Sequence, residues 1–198
     1  DRRDNGSLAS IGGYWNPSIE AIVEAEPDII LLDQGVQAQL SLLPQLEALQ
    51  LNVMVLHMGL NFDEVFKNIE MIGQICWEED RATALIDSMN DRLDEIADTL
   101  AGVDENPTVA FSVWLDPIYL SGNGTFVNEM ISLAHGVNAY QDLTSWPMVS
   151  IESILERDPE FLIVTGMMLE NSGEAVLQKL RNDTFWSATS AVQNNHVF

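Results

Sequence analysis

An eleven-residue segment occurs twice in this chain, 132 positions apart, and this repeat restricts the fold more than any other feature. Residues 18–28 read SIEAIVEAEPD, and residues 150–160 read SIESILERDPE. Each copy combines a Ser suited to capping a helix, a Glu in the positive first turn, and a Pro before an apolar run. That combination describes one helix followed by one strand. Two such units far apart in the chain indicate two similar lobes.

Short apolar runs alternate with amphipathic segments over the rest of the chain. Strands are predicted at 28–32, 52–57, 108–114 and 161–165, and helices at 18–26, 37–50, from 63 onward, 125–135, 150–157 and 174–181. Apolar strands separated by amphipathic helices are typical of parallel sheets covered by helices on both faces. The pattern therefore predicts the α/β fold class.

A long helix is predicted between the two copies of the repeat. From Ala82 to Leu100 apolar residues recur at spacings of three and four, acidic residues occupy the other face, and Gly102 follows as a helix stop. Such a helix either crosses over one sheet or connects two lobes rigidly. Because one copy of the repeat lies on each side, we favour the connection, with an N-terminal lobe at 1–78, a bridging helix at 79–102 and a C-terminal lobe at 103–198.

The charge balance is strongly acidic, with 31 acidic and 8 basic residues and a formal net charge of −23. Such a chain repels phosphate backbones and anionic lipid, so nucleic acid is not expected as a partner. We interpret the charge as a solvated acidic surface, with capture of cations as the alternative. No apolar run approaches the roughly 20 residues needed to cross a bilayer, so no membrane span is predicted.

Motifs for metal binding or catalysis are missing from the sequence. His57, His135 and His196 are isolated, and the single Cys76 is predicted to be a buried structural thiol. Neither a phosphate-binding glycine loop nor a nucleophile elbow occurs. We therefore predict no catalytic residue, no metal site and no cofactor, and we do not expect an enzyme.

A set of short motifs, taken in order, resembles a known family. The motifs are GGYWNPSIE at 12–20 with Pro27-Asp28, FKNI at 66–69 with Ile72-Gly73, DPIY at 116–119 with Ser121-Gly122, TFVNEMI at 125–131 with GVN at 136–138, and WPMVSIE at 146–152. Together they are similar to the helical-backbone class of periplasmic substrate-binding proteins. That class serves ABC importers of cobalamin, ferric siderophores, haem and some metal ions. The resemblance covers nearly the whole chain.

This resemblance implies two Rossmann-like lobes with parallel sheets, bridged by one long α-helix, and a ligand in the cleft between them. It also implies a monomer located outside the cytoplasm, in the periplasm or on the outer face of the cell membrane. A lipid anchor on the intact protein is compatible with this location. Family members begin with a further strand before Gly12 and end with a further helix after Phe198. The N-terminal lobe is therefore expected to lack its first strand, and the C-terminal lobe to be truncated at its end.

The resemblance assigns a partner to the two repeated glutamates. In the family, one Glu on each lobe at the position of Glu20 and Glu152 docks into arginine pockets of the two permease subunits. Charge-assisted pairs with Arg are strong and directional. The alternative is that both residues only complement helix N-termini, an effect of about 0.3–1 kcal/mol each. The two roles can coexist, and we favour docking.

The ligand-binding candidates follow from loop position and residue type. Aromatic residues lie at strand and helix ends, where α/β proteins bind ligands, and Tyr119 and Trp146 fall where cobalamin-binding members place aromatic residues against the corrin. Core packing is the alternative, above all for Tyr14 and Trp114, and ordinary packing equally fits Met167. The full set of candidates is Tyr14, Trp15, Gln34, Trp114, Asp116, Tyr119, Trp146 and Met167.

The distribution of basic residues bears on the ligand class. No basic residue is predicted in a ligand-facing loop, because the assigned cations lie on helices, at Lys67, Arg81, Arg92, Arg157, Lys179 and Arg181. A near-neutral or cationic ligand with a broad apolar face is therefore expected. We place a corrinoid such as cobalamin first, a hydroxamate siderophore second, and haem third, with Tyr14, Tyr119 or His57 as its axial ligand.

Two other classes of protein remain as alternatives. A sensor or interaction domain without a transport role would keep the same fold but would not need both Glu20 and Glu152. An enzyme that holds a metallocofactor in the same architecture would need cysteine ligands, and Cys76 is alone. The two glutamates favour transport.

Overall fold

The computed structural model of the chain describes residues 8–165 and 173–198. The chain divides into two compact units, Asp1–Glu79 and Asp80–Phe198. Each unit has its own hydrophobic core, built around Ile22 and Leu46 in the first and around Ala110 and Ile154 in the second. The predicted boundaries of the bridging helix and the lobes stay predictions.

The N-terminal unit contains one antiparallel hairpin and one parallel strand pair. Its elements are β1 (Gly12–Gly13), β2 (Asn16–Pro17), α1 (Ile19–Glu24), β3 (Ile30–Asp33), α2 (Gln37–Leu40), α3 (Leu43–Ala48), β4 (Val53–Leu56) and α4 (Phe62–Ile75). Strands β3 and β4 run parallel, with Ile30 opposite Val53 and Asp33 opposite Leu56. The carboxyl ends of both strands therefore lie at one edge.

The C-terminal unit carries the long helix and a larger sheet. Its elements are α5 (Glu79–Leu100), β5 (Thr108–Leu115), β6 (Ile118–Leu120), α6 (Phe126–Leu133), β7 (Val137–Asn138), β8 (Met148–Val149), α7 (Ile151–Arg157), β9 (Phe161–Val164), α8 (Gly173–Asn182), a 3₁₀ turn (Trp186–Ala188) and α9 (Ser190–Gln193). The 22 residues of α5 make a rod of about 33 Å.

The sheet of the C-terminal unit is mixed. Strand β5 pairs in parallel with β9, as the apolar runs predict, and also with β7, a two-residue strand that they do not predict. It also pairs in the antiparallel sense with β6, which in turn pairs with β8. The sequence does not reveal β6 and β8, because strands of two and three residues are too short to show a hydrophobic period.

The two copies of the repeat fold alike. Ser18 accepts a hydrogen bond from the amide of Ala21 at 3.2 Å and caps α1, and Ser150 accepts one from the amide of Ser153 at 3.4 Å and caps α7. Each helix buries one isoleucine, Ile22 or Ile154. These contacts confirm the helix–strand unit that the repeat predicts.

A residue in the left-handed conformation follows both helices at the equivalent position, immediately before the proline. Glu26 has φ 45° and Asp158 has φ 39°, and these two residues are 132 positions apart. The left-handed conformation is costly for a residue with a side chain, and it turns the chain sharply from helix to strand. The repeat therefore extends from side chains to backbone conformation.

One sequence-based expectation is wrong. Cys76, predicted to be a buried structural thiol, is exposed. It follows the last residue of α4, where the helix ends and the residues no longer face the core. The apolar pattern of a helix does not show how far along its last turn the packing continues. Across the described ranges, no helix combines the length and the apolar character needed to span a membrane.

Candidate functional site

The turn of the β1–β2 hairpin is held at the carboxyl end of β3. The Tyr14 hydroxyl donates to Oδ2 of Asp33 at 2.5 Å. The side chain of Gln39 bridges the same two residues, since its amide nitrogen donates to the Tyr14 carbonyl at 3.0 Å and its oxygen accepts from the Asp33 amide at 2.9 Å. This network brings two predicted residues, Tyr14 and Trp15, to the edge where β3 ends.

The aromatic pair in this turn faces outward. The rings of Tyr14 and Trp15 lie 4.9 Å apart at 87°, and Trp15 is 71% exposed. Gln34, also exposed, follows β3 at the same edge, with its amide bonded to the Leu56 carbonyl at 3.0 Å. Tyr14 is also exposed, so packing in the core, the alternative to a ligand contact for this residue, does not describe it.

The Asp33 carboxylate also changes the acidity of the tyrosine. Because the phenol donates to this carboxylate, and because of partial burial and the nearby negative charge, the pKa of Tyr14 is raised above its ordinary value. The proton therefore stays on the phenol oxygen. This opposes the phenolate form that binds a metal ion.

A β-bulge orients Trp114 in the C-terminal unit. Ser112 lies opposite Leu120, but Trp114 lies opposite Tyr119, so one extra residue of β5 stands between the two pairs. Ser112 Oγ donates to the Trp114 carbonyl at 3.0 Å and stabilises this irregularity. Without the bulge, the alternation of side chains would place Trp114 on the same face as the buried Ser112.

Three neighbouring strands then place large side chains on one face. Trp114 is opposite Tyr119, and Tyr119 is opposite Met148, so the three residues form a row across β5, β6 and β8. Met148 is 64% exposed and Trp114 is 45% exposed. Two of these residues were predicted from the sequence and Met148 was not, because β8 is invisible in the pattern.

Trp146 continues the same row. The amide of Leu120 donates to the Pro147 carbonyl at 3.1 Å, and the amide of Gly122 donates to the Ser145 carbonyl at 2.8 Å. These bonds extend the pairing of β6 with β8 and place Trp146 on the face of Met148, two residues away. Trp146 is exposed. We call Trp114, Tyr119, Trp146 and Met148 the aromatic row.

Asp116 does not belong to the aromatic row. It occupies the turn between β5 and β6, and its carbonyl accepts a hydrogen bond from the Trp114 indole at 2.8 Å. A pocket of about 490 Å³ lies beside the turn and is lined by residues including Asp116, Ile118 and Val149. Ile118 packs into the main core, and Met148 of the aromatic row also lines the pocket.

Both repeated glutamates are exposed next to their capping serines. The Ser18 hydroxyl donates to Oε2 of Glu20 at 3.0 Å. The pKa of Glu152 is lowered by a hydrogen bond from its own backbone N–H and by one from the Ser150 side chain. The carboxylate of Glu152 is therefore held in its charged form. The last candidate, Met167, lies outside the described residues.

The lysines and arginines of the described residues lie on helices, as predicted. Arg157 of α7 forms an ion pair with Asp142, with atoms 2.5 Å apart, and its guanidinium lies 4.4 Å from the centre of the Tyr140 ring. No lysine or arginine occurs in segments 12–17, 33–36, 57–61, 114–120 or 143–149, which carry the exposed side chains of the site. Among the residues that the structure describes, no group of three or more metal-ligating side chains converges.

Comparison with known proteins shows the family. The model of the family described as "Periplasmic binding protein" matches residues 1–198, so the chain belongs to that family. The ABC transporter substrate-binding lipoprotein YvrC of Bacillus subtilis (strain 168) is 30% identical over 190 residues, which are 94% of this chain and 58% of that protein. The chain thus spans less than two thirds of this relative.

Solved structures confirm the α/β fold class. The periplasmic heme-binding protein HutB of Vibrio cholerae has a TM-score of 0.80 at 21% identity, covering 98% of this chain and 76% of the other. The periplasmic vitamin B12-binding protein BtuF of Vibrio cholerae has a TM-score of 0.74 at 21% identity, covering 99% of this chain and 74% of the other. At these identities the likeness concerns the fold alone.

Proposed function

We propose that this chain belongs to the substrate-binding component of an ABC importer, located outside the cytoplasm, which captures a metal chelate with a broad apolar face and delivers it to a permease. Membership of the periplasmic binding protein family supports this role, and YvrC is described as a substrate-binding lipoprotein. The role is one of binding rather than catalysis.

The aromatic row is the observation that carries the ligand proposal. Its side chains are partly exposed on one face of adjacent strands, at the carboxyl end of β5. Aromatic rings provide a large contact area at a low entropic cost, and a flat macrocycle fits such a surface. Tyr14, Trp15 and Gln34 supply a second exposed surface in the N-terminal unit.

The charges near these surfaces favour a neutral or cationic chelate. The segments that carry the aromatic residues contain no lysine or arginine, and the chain as a whole has a net charge of −23. A ferric citrate or catecholate complex would therefore meet unbalanced negative charge. We place a corrinoid first, a hydroxamate siderophore second and haem third.

The geometry of Tyr14 keeps haem in third place. A tyrosine binds haem iron as a phenolate, and the raised pKa of Tyr14 makes this form harder to reach. The hydroxyl is also engaged with Asp33. Tyr119 and His57 remain as alternatives for axial ligation.

A calorimetric screen of the full-length receptor tests the ligand class. Cobalamin, cobinamide, a ferric hydroxamate, ferric citrate and haemin are titrated separately into the same preparation. We expect saturable binding of the two corrinoids and none of ferric citrate. Binding of ferric citrate alone would contradict the charge argument, and binding of haemin alone would replace the corrinoid by haem.

We also propose that Glu20 and Glu152 dock the receptor onto its permease. Both are exposed, both are supported by a capping serine, and they occupy equivalent positions in the repeat. A permease built from two related subunits requires two matched contacts, which a duplicated unit supplies.

Matched glutamates on the same helices provide the control for docking. Glu24 and Glu156 are exposed, lie one turn further along α1 and α7, and are also 132 positions apart. We expect the E20Q/E152Q double variant to bind the permease–ATPase complex at least about tenfold more weakly, and E24Q/E156Q to bind normally. Equal affinity of both variants and the unmodified receptor would favour the sensor or interaction role instead.

A further inference from the structure

The pocket beside the β5–β6 turn lies next to one docking glutamate. Its volume is about 490 Å³, and we call it the acidic pocket, lined by Asp116, Pro117, Ile151, Asp183, Phe185 and Trp186 among others. Ser150 and Ile151 belong to its lining, and Glu152 is the next residue of α7. Glu152 therefore directly follows two lining residues along the chain.

The charges of the acidic pocket are predominantly negative. Asp183 accepts hydrogen bonds from the amides of Phe185 and Trp186, and these bonds lower the pKa of its carboxyl group. The Asp116 carboxylate lies in the same lining. Lys179 lies in an adjoining pocket together with both aspartates, so one cation faces two anions. Glu152, which follows Ile151 of the lining, adds a further acidic residue to this part of the chain.

The apolar lining has the character of a contact surface. Phe185 is 52% exposed, whereas Trp186 is buried. Pro117 and Ile151 complete the apolar walls. An exposed aromatic ring in a lining that also holds two carboxylates suits a guanidinium group, which stacks on a ring and bonds to carboxylates at the same time. Its hydrocarbon stem would cover the apolar walls.

The acidic pocket shares one residue, Met148, with the aromatic row, and its carboxylates and aromatic rings come from residues outside that row. The aromatic row lies on one face of β5, β6 and β8, and Leu115, Ile118 and Val149 of the pocket lie on the other. In the first copy of the repeat, β2 occupies the positions equivalent to β8. Strand β2 pairs with β1, whereas β8 pairs with β6. The surroundings of Glu20 are therefore built differently.

We propose that the acidic pocket binds an arginine side chain of the permease, beside the contact that Glu152 makes. This inference rests on the docking role proposed above and extends it to a second contact on the C-terminal unit. It also gives Asp116 a different role from the ligand contact that its loop position predicts. Charge complementarity selects the occupant, because the lining offers carboxylates and an aromatic ring to a cation.

The test compares two double variants of the full-length receptor that lose the same charge. D116N/D183N removes both carboxylates of the pocket, and the side-chain amide that replaces the second carboxylate retains an oxygen for the backbone N–H groups of Phe185 and Trp186. D94N/D98N removes two exposed carboxylates of α5 and serves as the control. We expect the pocket variant to bind the permease–ATPase complex about tenfold more weakly than the control.

Two further variants distinguish failure of the pocket proposal from failure of the docking proposal. F185A, which keeps every charge, is expected to weaken the same binding about threefold or more, and E20Q/E152Q serves as the reference for docking. If E20Q/E152Q binds weakly while D116N/D183N and F185A bind like the control, docking stands and the pocket has no part in it. If none of the variants weakens binding, docking itself fails and the pocket proposal with it. Loss of cobalamin binding in D116N/D183N with unchanged permease binding would instead assign the pocket to the ligand.

Discussion

The two copies of the repeat share their local structure and differ in what surrounds it. Both have a capping serine, a buried isoleucine and a left-handed residue before the proline. Position 25 of the first copy is alanine, whereas Arg157 of the second is paired with Asp142 and lies over the Tyr140 ring. Eleven residues thus determine a helix–strand unit, and residues outside the repeat determine how firmly it is held.

The structural equivalence also reaches upstream of the matching letters. Strands β2 and β8 lie 132 positions apart, and so do Tyr14 and Trp146. Both aromatic residues are exposed next to a short antiparallel pair. Each copy therefore presents an exposed aromatic side chain and an exposed glutamate, as the proposed ligand and docking roles require.

The largest expected effect concerns the buried isoleucines. Ile154→Ala should lower the free energy of unfolding by about 3–5 kcal/mol, and Ile22→Ala by about 2–3 kcal/mol, since the core around Ile154 is the larger. Urea denaturation of the full-length receptor measures both. A greater cost for Ile22→Ala would reverse the comparison.

Removal of Arg157 tests the contacts found only in the second copy. Its guanidinium also donates to the Ala139 carbonyl at 2.6 Å, and Arg157→Ala should cost about 1–2 kcal/mol through this bond and the ring contact. Arg92→Ala, an exposed change on α5, is the control. A cost equal to that of the control would mean that the second copy is not held more firmly.

The same variant predicts a dependence on pH. Arg157 lowers the pKa of Asp142 through their hydrogen bonds, so the ion pair stabilises the fold above the ordinary carboxyl pKa and is lost as the pH falls through the lower folded value. The difference in thermal midpoint between the unmodified protein and Arg157→Ala should therefore shrink below about pH 4. A difference that grows on acidification would contradict this sign.

The capping serines should behave alike. Ser18→Ala and Ser150→Ala each remove one acceptor for a helix amide, and each should cost about 1 kcal/mol of unfolding free energy. Threonine at either position retains a hydroxyl and should restore most of the loss. Unequal costs for the two alanine variants would show that the local units are less alike than their hydrogen bonds indicate.

The smallest effect is a shift in acidity in the first copy. Asp33→Asn removes the negative charge that the Tyr14 phenol faces, so the pKa of Tyr14 should fall toward its ordinary value. Tyrosinate absorbance followed through an alkaline titration measures this change. Because the pKa is raised in the folded state, the stabilisation is present below the ordinary tyrosine pKa and is lost as the pH rises through the folded value. An unchanged titration would remove the Tyr14–Asp33 bond from the account.

The sequence predicts the elements with a clear period and misses those that depend on pairing. The strands at Ile30–Asp33 and Thr108–Leu115 are long and apolar enough to be recognised, and the repeat reveals α1 and α7. The bulge that orients Trp114 cannot be predicted from the hydrophobic pattern, because it depends on how β5 pairs with β6. The predicted burial of Cys76 failed for a similar reason, since helix length alone does not show where packing stops.

Part of the candidate site could likewise not be predicted from the sequence. The residue types and loop positions identify Tyr14, Tyr119 and Trp146, whereas Met148 joins the aromatic row only through strand register. The acidic pocket requires Asp116 and Asp183, which are separated by most of the C-terminal unit in sequence. No spacing rule connects such distant residues.

The affinity of the full-length receptor for cobalamin tests the central claim most directly. Calorimetry compares the unmodified protein with Tyr14→Ala and Trp146→Ala, the equivalent aromatic residues of the two copies, and with Trp77→Ala, an exposed tryptophan after α4 as the control. We predict saturable binding that each of the first two variants weakens about tenfold or more, and that the control leaves unchanged. Full affinity in both aromatic variants would contradict the claim that these residues form the ligand surface.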